Sequence, residues 1–180
     1  MIAHYEAIAD ATDIKQILYN VPSRTACDLL PSTVKILANH KNIIGIKEAV
    51  DDMRRIQDLV NISLNSDKNF FIYSGDDPTF TDSLILGTDG VISVAANVIP
   101  KSIANICELV RNYNNDEAKK LNANNKNLYK LLFVESNPIP VKWMLYKMGL
   151  VSNSIRLPLI ELDETFHDEI MSEMLKLGLL

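Results

Sequence analysis

Hydrophobic positions change their rhythm part-way along the chain. In the first half, four short apolar runs, QILYNV (16–21), NIIGIKEA (42–49), FFIYSG (70–75) and GVISVA (90–95), alternate with segments whose apolar residues recur at helical spacing. Ile2, Tyr5, Ile8 and Ala9 predict a helix over 2–11; Val34, Leu37 and Ala38, behind a first-turn Pro31, predict one over 31–40. Asp51-Asp52 caps a third over 51–64, with Ile56, Leu59, Val60 and Leu64 on one face, and 78–86 is a short helix closed by Gly87. β-Branched runs separated by helices predict βα units and a parallel sheet covered on both faces.

After residue 98 the strand signal stops. Ile103, Ile106, Cys107 and Val110 predict one helix, and Ala118, Leu121, Leu128 and Leu132 a second, with Asn125 filling one turn of its stripe. Val141, Met144, Leu145 and Met148 predict a third, entered through the rigid NPIP at 137–140; Phe166, Ile170, Met174 and Leu177 predict a last helix with Gly178 just beyond it. The organisation is therefore α/β over 1–98 and helical over 99–180. Trp143 and Met144, Met148, Met171 and Met174 read as core. The seven Asn between 112 and 127 read as a solvated face with lowered helix propensity.

Composition narrows the function classes. The chain has 180 residues, 47% of them hydrophobic, enough for a sizeable core, and a formal charge of −5 that opposes sequence-independent binding to nucleic acid. No run is long and apolar enough for a membrane span, and the N-terminus lacks the pattern of a secretory signal, so a soluble cytoplasmic protein is expected. Cys27 and Cys107 are too few for a disulfide scaffold, and His4, His40 and His167 stand alone, as surface or helix-end residues rather than ligands. Asp76 and Asp77 in SGDD read as a cap for the following helix, and no metal site is predicted.

Parallel α/β folds build their sites at the C-terminal ends of strands. Lys47 ends the run IIGIK, and alternation puts Ile43, Gly45 and Lys47 on one face, with Gly45 leaving room for a ligand. Desolvation there favours the neutral amine that attacks a ketone, although a lysine at this position also simply marks the strand's exit into solvent. Tyr19, at the end of the preceding strand, has the reach to relay protons or packs with a satisfied hydroxyl. Arg24, in the loop after Pro22, suits a carboxylate held by two parallel hydrogen bonds or stands solvated.

Together, YNVPSRT (19–25), NIIGIKEA (42–49), SGDD (74–77), GVISVAANV (90–98) and NPIPVKW (137–143), in this order and with RLPL at 156–159, resemble the dihydrodipicolinate synthase family of pyruvate-dependent class I aldolases. The resemblance implies that Lys47 is the Schiff-base lysine, that Tyr19 relays protons, and that Arg24 engages the carboxylate of an aldehyde substrate. It implies that Gly75 and Ile92 line the pyruvate pocket. The implied reaction condenses pyruvate with aspartate semialdehyde toward diaminopimelate and lysine, with no metal or organic cofactor. Sialic acid lyases share the lysine and tyrosine but not the Arg-bearing loop, so SRT at 23–25 favours the synthase.

An eight-unit barrel takes about 250 residues. The four strands here match strands five to eight of the family's barrel, so the expected fold is the C-terminal half of a (β/α)8 TIM barrel followed by a helical extension. The first half, with the threonine pair that contacts pyruvate and the tyrosine lent by a neighbouring subunit, is not in this sequence. A truncated form with impaired activity is the first expectation. A homo-oligomer that pairs two half-barrels, or a non-catalytic protein that binds a partner subunit, is the alternative; a complementing N-terminal half would fit the first.

Overall fold

A computed structural model describes residues 1–180, which divide into two compact units, Met1–Ile92 and Ser93–Leu180. In the first, helix α1 (Ile2–Asp10) leads to strand β1 (Gln16–Asn20), the single turn α2 (Pro22–Thr25) and helix α3 (Pro31–Leu37). Then come β2 (Ile43–Glu48), α4 (Met53–Leu64), β3 (Phe71–Ser74), α5 (Phe80–Leu86) and β4 (Gly90–Val91). The strands form one parallel sheet in the order β1-β2-β3-β4, the arrangement successive βα units produce.

Local chemistry sets the element ends. Pro31 occupies the first turn of α3, where its missing N–H costs nothing. Asp52 caps α4, its Oδ1 accepting from the Arg54 N–H at 2.8 Å, and Gly87 closes α5 at φ +110°. Asp76 holds the entry to α5 by accepting from the Thr79 N–H and hydroxyl.

One face of the sheet carries the core. Leu18, Ile46 and Ile72 lie side by side in register and pack with Ile43 and Phe70 against Ala9, Val34, Leu37 and Leu59 from the helices. Each fully buried Leu or Ile contributes roughly 1.5–3 kcal/mol. On the opposite face Ile17 and Tyr19 each remain 44% exposed.

Several details depart from the alternation. The β1–β2 register shifts between Gln16 and Ile17, so Ile43 joins Ile46 in the helix-side core instead of sharing a face with Gly45 and Lys47. The space at Gly45 is not free for a ligand: a Cβ there would stand 2.5 Å from the carbonyl oxygen of Phe71, so the glycine admits the neighbouring strand. β4 has two residues rather than six, and the chain beyond it forms a 3-10 turn over Ala95–Asn97. Ile8 and Leu64, expected on buried faces, are exposed. At the end of α4 it is Ser63 that faces inward, donating to the Phe70 carbonyl at 2.6 Å.

The second unit is helical: α6 (Pro100–Arg111), α7 (Asn115–Asn124), α8 (Lys126–Leu131), α9 (Ile139–Lys147) and α10 (His167–Lys176). The single helix expected over 118–132 is broken at Asn125, which is buried and donates to the Ser102 hydroxyl at 2.9 Å. Tyr129 donates to Asn122, and Asn127 to Glu173, so this Asn-rich stretch is partly internal rather than only solvated. Trp143, Met144 and Met174 are core as expected, whereas Met148 and Met171 are half-buried. The Trp143 ring stacks on His167 with centroids 4.5 Å apart. His167 begins α10, His4 is exposed, and His40 contacts Asp10 at 3.0 Å. No helix is long and apolar enough to cross a membrane.

Ile72→Ala is expected to cost about 2–5 kcal/mol, because it opens a cavity in the row between Ile46 and the helices. Leu64→Ala, at an exposed position, is expected to stay within about 0.5 kcal/mol. Urea unfolding followed by far-ultraviolet circular dichroism separates the two.

Candidate active site

Parallel pairing places Tyr19, Lys47, Tyr73 and Gly90 in one row across the sheet, near the strands' C-terminal ends. The Lys47 Nζ lies 4.4 Å from the centroid of the Tyr19 ring. An ammonium over a phenol ring is worth about 0.5–1 kcal/mol at an exposed position and about 2 when desolvated. The contact holds the amine beside the phenol on the face that the helices leave uncovered.

Gly75 is what lets Lys47 lie there. A Cβ at Gly75 would come within 2.7 Å of the lysine Cε and 3.1 Å of the Ala49 Cβ. Backbone pairing continues past the strands: the Gly75 N–H donates to Glu48 O at 2.7 Å, and the Ile92 N–H to Ser74 O at 2.9 Å. Gly90 serves the next position of the row, where a Cβ would lie 3.3 Å from the Tyr73 ring.

Arg24 and Ile92 complete the predicted set. Arg24 is exposed on α2, and no hydrogen bond or ion pair engages its guanidinium. Its turn ends at Ala26, whose φ of +53° is a left-handed conformation that L-residues rarely hold. Ile92 follows β4 and is half exposed. The structure thus brings Lys47, Tyr19 and Gly75 into direct proximity and places Arg24 and Ile92 in the segments that leave β1 and β4.

A second group of residues lies behind this row. Asn20 and Glu48, the register pair that follows Tyr19 and Lys47, face the other side of the sheet and are fully buried. The Asn20 Nδ2 donates to both Glu48 carboxylate oxygens at 3.0 Å and to Asp28 Oδ1 at 3.0 Å. Its Oδ1 accepts from the Leu29 N–H at 2.9 Å. Arg55, from α4, donates to Asp28 Oδ2 at 2.6 Å and stands 3.6 Å from Glu48 Oε2. The Val50 N–H also donates to Glu48, at 3.0 Å. The sequence reading missed this network. A charged residue on the Ile46 side of a buried strand was its signal, since a carboxylate there requires partners.

Burial raises the Glu48 carboxyl above its ordinary value, against the pull of Asn20, Val50 and Arg55. Asp28 moves the other way: desolvation opposes the shift, but hydrogen bonds from Arg55 and Asn20 outweigh it and lower the carboxyl.

Residues 1–177 match the dihydrodipicolinate synthetase family. The chain belongs to that family. It is 47% identical over 175 residues to a 4-hydroxy-tetrahydrodipicolinate synthase from Shewanella pealeana, a match covering 97% of this chain and 58% of that protein. A 4-hydroxy-tetrahydrodipicolinate synthase from Pseudomonas aeruginosa is 44% identical over 180 residues, 100% of this chain and 61% of its own. Among solved structures, dihydrodipicolinate synthase from Acinetobacter baumannii, complexed with pyruvate, superposes with a TM-score of 0.94 at 42% identity, over 99% of this chain and 60% of that one. The Thermotoga maritima dihydrodipicolinate synthase gives 0.94 at 38% identity, over 99% and 61%. The fold is accordingly the family's barrel architecture in part, four parallel strands with a helical C-terminal region. The chain spans about three-fifths of the length of these relatives.

Two outcomes follow from the geometry. Gly75→Ala is expected to leave the fold intact but displace the Lys47 side chain, and the loss of the Lys47–Tyr19 contact is readable in the ring-current shift of the lysine εCH2 protons. Glu48, raised, contributes stability that is fully present below its ordinary value of 4.5 and fades as pH rises through the raised value; Asp28, lowered, contributes stability present above 3.8 and lost as pH falls. Glu48→Gln removes only the first component. The native chain's stability relative to this variant is therefore expected to decline as pH rises above 4.5, measured from urea midpoints.

Proposed function

We propose that this chain carries the imine-forming half of a barrel that condenses pyruvate with aspartate semialdehyde. The observation that carries the reading is the Lys47 amine held 4.4 Å over the Tyr19 ring, at the strand ends of a member of this family. Neutral Lys47 attacks the keto carbon of pyruvate, the carbinolamine oxygen takes up a proton from solvent through Tyr19 and leaves as water, and a protonated imine forms. Loss of a methyl proton gives an enamine, with Tyr19 moving protons. The enamine carbon attacks the aldehyde carbon, forming the new C–C bond, while Arg24 holds the aldehyde substrate's carboxylate through paired hydrogen bonds. Gly75 and Ile92 form part of the pyruvate pocket. The product class is the cyclic precursor of diaminopimelate and lysine.

The half-exposed inner face at Ile17, Tyr19 and Ile92 supports a further reading about partners. Completing strands cover this face when the barrel works, supplied by a second copy or by a complementing half. The small substrates and the chain's acidic charge support a site in solution rather than on nucleic acid or a membrane.

Pyruvate followed by borohydride is expected to leave one reduced pyruvyl adduct on the native chain and none on Lys47→Ala, read by intact mass. Tyr19→Phe is expected to slow adduct formation by about 100-fold. A folded native sample that forms no adduct, alone or with a complementing half, would sink the imine reading.

A further inference from the structure

The row that carries Tyr19 and Lys47 has little of its own to hold it. On its open face the two side chains meet only through the ring–amine contact, and Tyr19 is 44% exposed. The hydrogen bonding lies one residue further along each strand, on the other side of the sheet. Consecutive strand residues share a backbone, so a side chain anchored at Asn20 restrains the orientation of Tyr19, and one anchored at Glu48 restrains Lys47.

Asn20 is the hub. Its amide touches Glu48 on β2 and both Asp28 and Leu29 in the loop that follows α2, the turn bearing Arg24. The three segments that hold Tyr19, Lys47 and Arg24 therefore meet at one neutral side chain. The neutrality matters. Its two N–H groups stand between two carboxylates, one hydrogen aimed at Asp28 and the other shared by the Glu48 oxygens; an Asp in its place would crowd three carboxylates together with no donor between residue 20 and the other two. Arg55 balances the charge from the far side but does not touch β1.

We propose that Asn20 is a positioning residue, which sets Lys47 against Tyr19 and fixes the base of the Arg24 loop by hydrogen-bonding Glu48, Asp28 and Leu29 behind the sheet. Its importance to chemistry rests on the imine reading of Lys47; its importance to geometry does not. Because both Asn20 and Glu48 are fully buried, losing the donor takes the Asn20 hydrogen bond from Asp28 Oδ1 and leaves Glu48 to the Val50 N–H and Arg55 alone, and the strand ends relax until water reaches the freed oxygens.

The test uses the full chain with 13C-labelled lysine, the Lys47 εCH2 resonance being assigned by its absence in Lys47→Ala. In the native chain this resonance is expected upfield, shifted by the Tyr19 ring. Asn20→Asp is expected to lose the shift and to slow pyruvyl-adduct formation by at least about ten-fold. The double variant Asn20→Asp/Glu48→Gln returns a donor to the β1–β2 pair, now from residue 48, and, with Asp28 still facing a carboxylate, is expected to recover part of both. A change in stability alone moves neither signal in a folded sample. A folded Asn20→Asp that keeps the upfield shift, or a folded double variant that regains none of it, overturns the proposal. If Asn20→Asp does not fold by circular dichroism, Asn20→Ser, which withdraws the amide without adding charge, decides by the same shift. A native chain with the upfield resonance but no adduct, alone or with a complementing half, refutes the imine chemistry, while the variants still decide the positioning.

Discussion

Everything in the first unit depends on the register between β1 and β2. Parallel pairing sets Tyr19 beside Lys47 and, one step on, Asn20 beside Glu48. Because successive side chains point to opposite faces, this single alignment sends an amine and a phenol to the open side and an amide and a carboxylate to the packed side. A slip of β2 by one residue would bury the lysine beside Leu18 and Ile72 and turn Ile46 and Glu48 to the open side. The apolar row Leu18, Ile46 and Ile72 enforces the alignment, since every alternative takes these side chains out of the core.

The two sides of the sheet then follow different physical rules. On the packed side the polar groups behind the row are matched: Asn20, Glu48, Asp28 and Arg55 satisfy one another because unpaired charge cannot be left in a dry interior. On the open side Lys47 is held by a ring and by the missing side chain of Gly75, which restrict its position while leaving its nitrogen accessible. Rigid support behind and freedom in front is a division well suited to a nucleophile that must attack, carry a substrate and be released.

Much of this was legible in the amino-acid sequence. The four βα units appear in the alternation of apolar runs and helical stripes, and YNVPSRT with GIKEA carried both the family and the residues of the open face. The deviations came from tertiary contacts that periodicity does not contain. Ile43 turned to the helix side because of the register shift at Gln16/Ile17, and Gly45 proved to accommodate the Phe71 backbone. Asn125 looked like one polar gap in a long stripe, yet the helix breaks there, its N–H bonding three residues back to Asn122 O while its amide reaches Ser102. The Asn20 network was hidden for a related reason: its members lie at 20, 28, 48 and 55, on three different elements and a loop, and no local spacing joins them.

The chain's lone tryptophan has an optical consequence. Trp143 belongs to the helical unit, stacked on His167, while Tyr19 and Lys47 belong to the first. Intrinsic indole emission therefore reports on the packing around that stack within the helical unit. A change in that emission would register the stacked pair of rings itself.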